Sequence, residues 1–415
     1  MKRMFRIKFA WFPVWATALL MLSMIAIYLP VFSGSNQILK NFPIIIVNED
    51  QQFATTEGGK QLTHLPDQKH SFNWIYEHDR ATAEKMLKND KAYGALIIPA
   101  NFSASLAEVQ KGLMNGKSDV KPAKMEILIN EGGGQMATSV AVQTLHTIVE
   151  TTSKGMSEQL KKVMEDRKIK ISPSASSLLD NPIQATSINV LGLPADINKG
   201  MTPFMLALIA SITGLMGAQM IHGYLNNINS FLQDRKVGLS ESKLIFTEII
   251  MGLILSVLVS SGLMVAVMGV FGSVHTAPIW QIYLFMLLCT MAMYFMFKLI
   301  GMLLGKWALL AMFPINIMGI FSSGGAIPLV SVPEFHRICS AFLPTRYMVE
   351  GMKALFYYDG NMEAGLERAL IVLISCLVVF VIATVGIALS KFMKEKKSAG
   401  NEKATDGQLS VASDA

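Results

Sequence analysis

Few residues in this chain have the type and spacing that chemistry needs. His64, His70 and His78 lie six and eight residues apart with no cysteine beside them. A zinc site uses tighter His or Cys pairs, so these three read as solvated loop histidines. Lys111-Gly112-Leu113-Met114-Asn115-Gly116-Lys117-Ser118 ends like a phosphate-binding loop, but its leading glycine is one residue out of register. Asn101-Phe102-Ser103 is a formal glycosylation sequon, and Gly132 to Gly134 reads as a strand-to-helix connection rather than a phosphate cradle. No Ser-His-Asp order with a nucleophile elbow is visible, and no Walker motif occurs. The expectation is a chain that breaks and makes no bonds, with no catalytic, cofactor-binding or metal site of its own.

The other ionisable residues of interest sit in or beside apolar runs. His222, Glu248 and Lys298 fall near the ends of three such runs, where a charged group reaches water cheaply, and Lys298 can snorkel. They are expected at the membrane interface. A proton relay would need ionisable groups near mid-bilayer on several spans; their lack argues against an ion-coupled transporter.

Composition says what elements must position these residues. Of 415 residues 52% are hydrophobic and only 16% charged, too apolar for an ordinary soluble enzyme. A bilayer crossing needs about 20 apolar residues. Six runs qualify: Phe9 to Phe32, Pro203 to Tyr224, Ile249 to Phe271, Ile279 to Gly301, Trp307 to Val330 and Leu370 to Leu389. The first is longer than a signal-peptide core and reads as a retained anchor. Outside residues 33–200, 14 Lys and Arg fall on one side of these spans and four (Arg337, Arg346, Lys353 and Arg368) on the other. The positive-inside rule therefore predicts both termini in the cytoplasm and residues 33–200 outside. That segment holds 18 basic and 18 acidic residues, which excludes a nucleic-acid-binding role. It has no cysteine, so it folds without disulfides; the three cysteines lie at 289, 339 and 376.

Within residues 33–200 the pattern is α/β. Strands are expected at 42–50, 93–99, 124–130 and 184–193, helices at 81–89 and 102–112. From Gln135 to Arg167 apolar residues recur three or four apart, giving one long amphipathic helix or two broken near Gly155. Residues 172–177 read as a loop. In the membrane part, Gly301 with Gly305, and Gly214, Gly217 and Gly223, suggest close helix packing, within one chain or between two.

The one-plus-five span layout with a large domain after the first span resembles type-2 ABC exporter permeases, over essentially the whole chain. Val47-Asn48-Glu49-Asp50, followed by Tyr93-Gly94-Ala95-Leu96-Ile97-Ile98-Pro99-Ala100-Asn101-Phe102-Ser103, is similar to the outside domain of the YhgE/Pip (phage infection protein) branch. Ser322 to Pro328, Val332 to Phe335 and Phe342 to Lys353 resemble the segment before the last span of these permeases. Paired glycines and three prolines (Gly324, Gly325, Pro328, Pro333, Pro344), with Tyr347 beyond, cannot make one continuous helix. The segment 325–350 is expected to re-enter from the outer face, sparing its apolar residues exposure.

The resemblance implies an α-helical polytopic membrane protein with six transmembrane helices (1+5). An α/β extracytoplasmic domain is inserted between helices 1 and 2. In order, it implies a cytoplasmic N-terminus (1–8), helix 1 (9–32), the outside domain (33–200), a five-helix permease domain (201–389) and a disordered cytoplasmic tail (390–415). It makes 225–243 a coupling loop that docks into an ATPase subunit, with Asp234, Arg235, Lys236 and Gly238 its contact residues. Asp234-Arg235-Lys236 departs there from the commoner acidic version. The implied function is the permease subunit of an ATP-driven exporter in a bacterial cell membrane, dimeric with itself or with a similar permease. ATP would be bound by the partner, with no nucleic acid involved. The alternative is a surface receptor or scaffold for a phage, a wall polymer or a secretion apparatus, anchored by its helices.

Overall fold

The computed structural model describes residues 41–63, 72–115, 120–167, 173–194, 200–235 and 237–413, with scattered positions between 15 and 31. The N-terminal residues 1–8, most of the expected first span, and Lys236 lie outside them.

Residues 42–189 build a five-stranded sheet between two helical layers. Its strands are β1 (Phe42–Asn48), β2 (Phe72–Glu77), β3 (Gly94–Ile98), β4 (Ala123–Ile129) and β5 (Ile183–Asn189), in the order β2-β1-β3-β4-β5. Only β3 and β4 run antiparallel; β1 pairs with β2 and β3, and β4 with β5, in parallel. Parallel strands need covered faces, which is why β1 and β3 are nearly unbroken apolar runs. Their period of two splits the core. Phe42, Ile44, Leu96 and Ile98 point to one face, Ile45, Val47, Ala95 and Ile97 to the other.

The connecting helices are α1 (Gln51–Thr55), α2 (Glu57–Thr63), α3 (Arg80–Lys88), α4 (Phe102–Met114), α5 (Gln135–Asp166) and α6 (Pro173–Asp180). Asp50 caps α1, accepting from Gln52 N at 2.9 Å and Phe53 N at 3.0 Å, and also binds the Ser103 N–H at the start of α4. α5 buries Ala137, Ala141, Leu145 and Val149 against the first face, each large side chain worth about 1.5–3 kcal/mol. It is one helix of 32 residues: Gly155 has open space around it and interrupts nothing. Residues 173–180 are helical where 172–177 was expected as a loop, because Leu178 and Leu179 have a place against Val109 and Leu160.

Four helical stretches among the described residues are long and apolar enough to cross a membrane: Thr202–Asp234, Glu241–Val270, Ile279–Phe321 and Leu366–Lys397. They comprise α7 (Thr202–Asp234), α8 (Glu241–Met264, continued as a π-helical turn to Val270), α9 (Ile279–Leu304), α10 (Ala308–Phe321) and α13 (Leu366–Ser413). The third stretch joins the two spans expected at 279–301 and 307–330, with the break at Gly305, whose φ is +53°. Gly305 thus serves a reversal in the backbone, where a side chain is strained, rather than a packing seam. α10 ends at Phe321, short of Val330. Between α10 and α13 the chain makes α11 (Glu334–Ala341) and the deeply buried α12 (Pro344–Tyr357). The last helix continues to Ser413 where a disordered tail was expected; no proline stops it, and Lys, the commonest residue there, is a good helix former.

The small residues of α7 face inwards. A Cβ at Gly214 would stand 2.6 Å from the Met293 backbone of α9, and one at Gly217 would strike Leu255 of α8. Gly252 of α8 receives the Tyr294 ring. The glycine spacing therefore serves packing within the chain, while Gly223 has nothing within 4 Å.

Candidate functional site

The α7 helix is about 48 Å long at 1.5 Å per residue, longer than the roughly 30 Å of a hydrocarbon core. Residues expected in the 225–243 loop are helical up to Asp234, and the described residues 235 and 237–240 belong to the turn before α8.

That turn is held firmly. Asn229 donates to Leu239 O at 3.1 Å and accepts from Leu239 N at 2.7 Å, and Val237 N binds Leu232 O at 2.9 Å. Arg235 ends α7 with its guanidinium 4.5 Å over the Phe231 ring. A Cβ at Gly238 would collide with Gln233, so the return of the chain requires glycine. At the start of α8, Ser242 N and Oγ both bind the Glu395 carboxylate of α13, and Glu241 pairs with Lys391 at 2.8 Å. The turn is thus tied to the last helix as well as to the two it joins.

Directly above it the structure brings His222, Glu248 and Lys298 together. Glu248 and Lys298 are 1% and 3% exposed and form an ion pair, while His222 Nδ1 lies 2.7 Å from the other Glu248 oxygen. Asn226 Nδ2 is 2.9 Å from His222 Nε2, so the amide donates there and the imidazole proton sits on Nδ1, facing Glu248. Tyr294 donates to the Glu248 carbonyl at 2.6 Å. Lys298 does not snorkel to water: its partner is inside, and pairing offsets part of the cost of a buried ammonium. The cluster joins α7, α8 and α9.

The segment expected to re-enter is broken where glycine and proline stand. Gly324 has φ +83°, Gly325 packs on Phe204, Pro328 and Pro333 precede short helical turns, and Pro344 occupies the first turn of α12. Tyr347 donates to Ala341 O at 2.8 Å, closing the α11–α12 corner. Phe335, Ile338 and Phe342 lie along one exposed face of that corner.

A second polar cluster joins this segment to the sheet domain, through residues that sequence reasoning missed. Asp90, left-handed at φ +52°, accepts from Lys353 at 2.7 Å and Tyr358 at 2.8 Å; Asn130 binds Asp90, Tyr358 and Ala92 O. Burial first, then the Asp90 charge, raises the Tyr358 hydroxyl well above its ordinary value, so it stays a donor. Asn89 bridges Glu363 and Asn361, each at 2.7 Å. The glycines 132–134 lie in the same seam: a Cβ at Gly132 would meet Tyr358, and one at Gly134 would lie 3.6 Å from Gly325 O. Nothing local announced that Asn89 and Asp90 have partners more than 260 residues away.

The family model described as ABC-2 family transporter protein matches residues 10–387. A segment of 131 residues, 30% of the chain, is 27% identical to the uncharacterized protein YhgE of Bacillus subtilis (strain 168). That segment covers 16% of the relative's length. No solved structure matches the chain.

Proposed function

The chain belongs to the ABC-2 family of transporter proteins and is a membrane protein, and on that premise we propose that it is the permease subunit of an ATP-driven exporter. It works as a dimer and takes its energy from ATP bound and hydrolysed by a separate ATPase subunit. The sheet domain faces outwards, the termini and the 235–240 turn face the cytoplasm, and the first span lies in residues 9–32, making six with the five that follow. Segment 325–350 enters the membrane from outside; the exposed apolar face of Phe335, Ile338 and Phe342 supports this, since a lipid surface relieves it.

One observation carries the proposal. The turn that would meet the ATPase is clamped to α7, α8 and α13, and the buried Glu248–Lys298–His222 cluster stands just behind it. A push on the turn therefore moves three helices as one body instead of being absorbed in a loose loop. Asp234, Arg235, Lys236 and Gly238 would meet the partner or shape the surface that does.

The test is purification in mild detergent from the native host, with mass spectrometry of co-purifying proteins, for wild type and for Asp234, Arg235 and Lys236 changed together to Ala. An ATPase is expected with the wild type and not with the triple variant. Recovery of no ATPase with either would instead favour the receptor or scaffold.

A further inference from the structure

Two hollows meet on the sheet-domain side of the membrane part. One is a cavity of about 520 Å³ between the sheet domain, α12 and the first turn of α13, lined by four basic and four acidic side chains. The other is a groove of about 480 Å³ between α9 and α13, mostly apolar, with Trp280, Leu284, Leu288, Leu370 and Ile374 in its walls. Met362 lines both, and successive residues of α13 divide between them: Leu366 faces the groove, Glu367 and Arg368 the cavity. The groove follows α9 from 280 to 288 and α13 from 366 to 374, about 12 Å of depth at 1.5 Å per residue.

Charge in the cavity is balanced in sum but not in place. At one corner Arg346 and Arg368 both bind the single carboxylate of Glu350, at 3.0 and 2.8 Å. That corner has one cation in excess, and the guanidinium nitrogens not used on Glu350 remain available to an oxyanion. At the other, Glu363 accepts only the Asn89 amide, and neither it nor Glu367 has a basic partner among the described residues. With Lys353 paired to Asp90, Lys91 is the one other cation of the lining, so the two carboxylates leave an excess of one negative charge. A ligand matching this arrangement carries an anion and a cation in one small head and an apolar tail that leaves beside Met362.

We infer that the chain binds one zwitterionic phospholipid here, its phosphate at Arg346 and Arg368, its ammonium at Glu363 and Glu367, and one acyl chain in the α9–α13 groove. Hydrocarbon in the groove covers Trp280, Leu284 and Ile374, which are otherwise about half or more exposed. The inference concerns a resident lipid and holds whether or not an ATPase drives the chain.

The full-length protein, delipidated in detergent, is incubated with phosphatidylethanolamine or phosphatidylglycerol of the same acyl chains, and retained lipid is counted by native mass spectrometry. One phosphatidylethanolamine per chain is expected, held at least fivefold more strongly than phosphatidylglycerol. Leu370→Trp should fill the groove and lower retention at least fivefold. Arg368→Gln should erase the preference between the two heads. If Leu370→Trp fails to fold, Ile374→Trp, at a half-exposed wall position, takes its place. Equal retention of both lipids by the wild type, or retention untouched by both the groove and the Arg368 variants, overturns the inference.

Discussion

Glu248 is the residue on which most depends in the membrane part, because it is buried, charged and shared between an ammonium and an imidazole. Losing either member of a buried pair strands the other, at about 3–5 kcal/mol. Glu248→Gln and Lys298→Met should each lower the unfolding temperature in detergent sharply, and the double change Glu248→Met with Lys298→Met should recover most of it. A recovered fold that still fails to transport would assign the pair to motion rather than to stability. Asp50 offers a cleaner titration, lying outside the spans. Burial pushes its carboxyl up, but N–H groups of Ser103, Phe53 and Gln52 outweigh that and leave it below the ordinary 3.8. A lowered folded-state value means the carboxylate stabilises the fold above about pH 4 and loses that effect as the pH falls further. Asp50→Ala should cost about 1–2 kcal/mol at pH 7 and less at pH 3, read by chemical unfolding at the two values. The types of all these residues were visible in the sequence. That His222, Glu248 and Lys298 share one site was not, since three separate span ends carry no local sign of which faces meet.

Elements were legible where pattern and burial agree. β1 and β3 are apolar runs bounded by turn residues, β4 begins with alternating apolar and charged residues, and α5 repeats its apolar positions faithfully. β2 was missed because Phe72-Asn73-Trp74-Ile75-Tyr76-Glu77 lies at the sheet edge, half exposed, with polar residues interrupting it. α6 was missed because its serines suit a loop, and only Leu178 and Leu179 anchor it. Glycine in α7 tests the element-scale reading directly. Gly214→Ala puts a methyl against the Met293 backbone, which cannot step aside, and should destabilise by about 1–3 kcal/mol. Gly223→Ala meets nothing and should be neutral or stabilising by up to about 1 kcal/mol. Thermal unfolding of the two variants side by side gives the comparison; equal effects would mean that α7 and α9 do not pack at this seam.

For the whole molecule, the decisive contact is that between Asp90 and the α12 segment, which no sequence window spans. It fixes the sheet domain to the corner between α10 and α13, so the domain cannot swing on a free tether. Lys353→Met with Tyr358→Phe leaves Asp90 without either donor from the membrane part. Amide hydrogen exchange around residues 131–134 and 353–358 should then rise by an order of magnitude or more, while exchange in β1 and β3 stays unchanged. The membrane class was readable from composition, and the family resemblance from the span layout with residues 47–50, 93–103 and 322–353; the docking of one half onto the other was not.

The apolar stripe of α7 does not stop with the membrane. Met205, Ile209, Ile212, Met216 and Met220 are followed on the same exposed side by Tyr224, Ile228 and Phe231, about 39 Å from end to end at 1.5 Å per residue. Lipid covers only about 30 Å of that. Under the proposed function, Phe231 and its neighbours beyond the lipid are the part of the stripe that a companion subunit would cover.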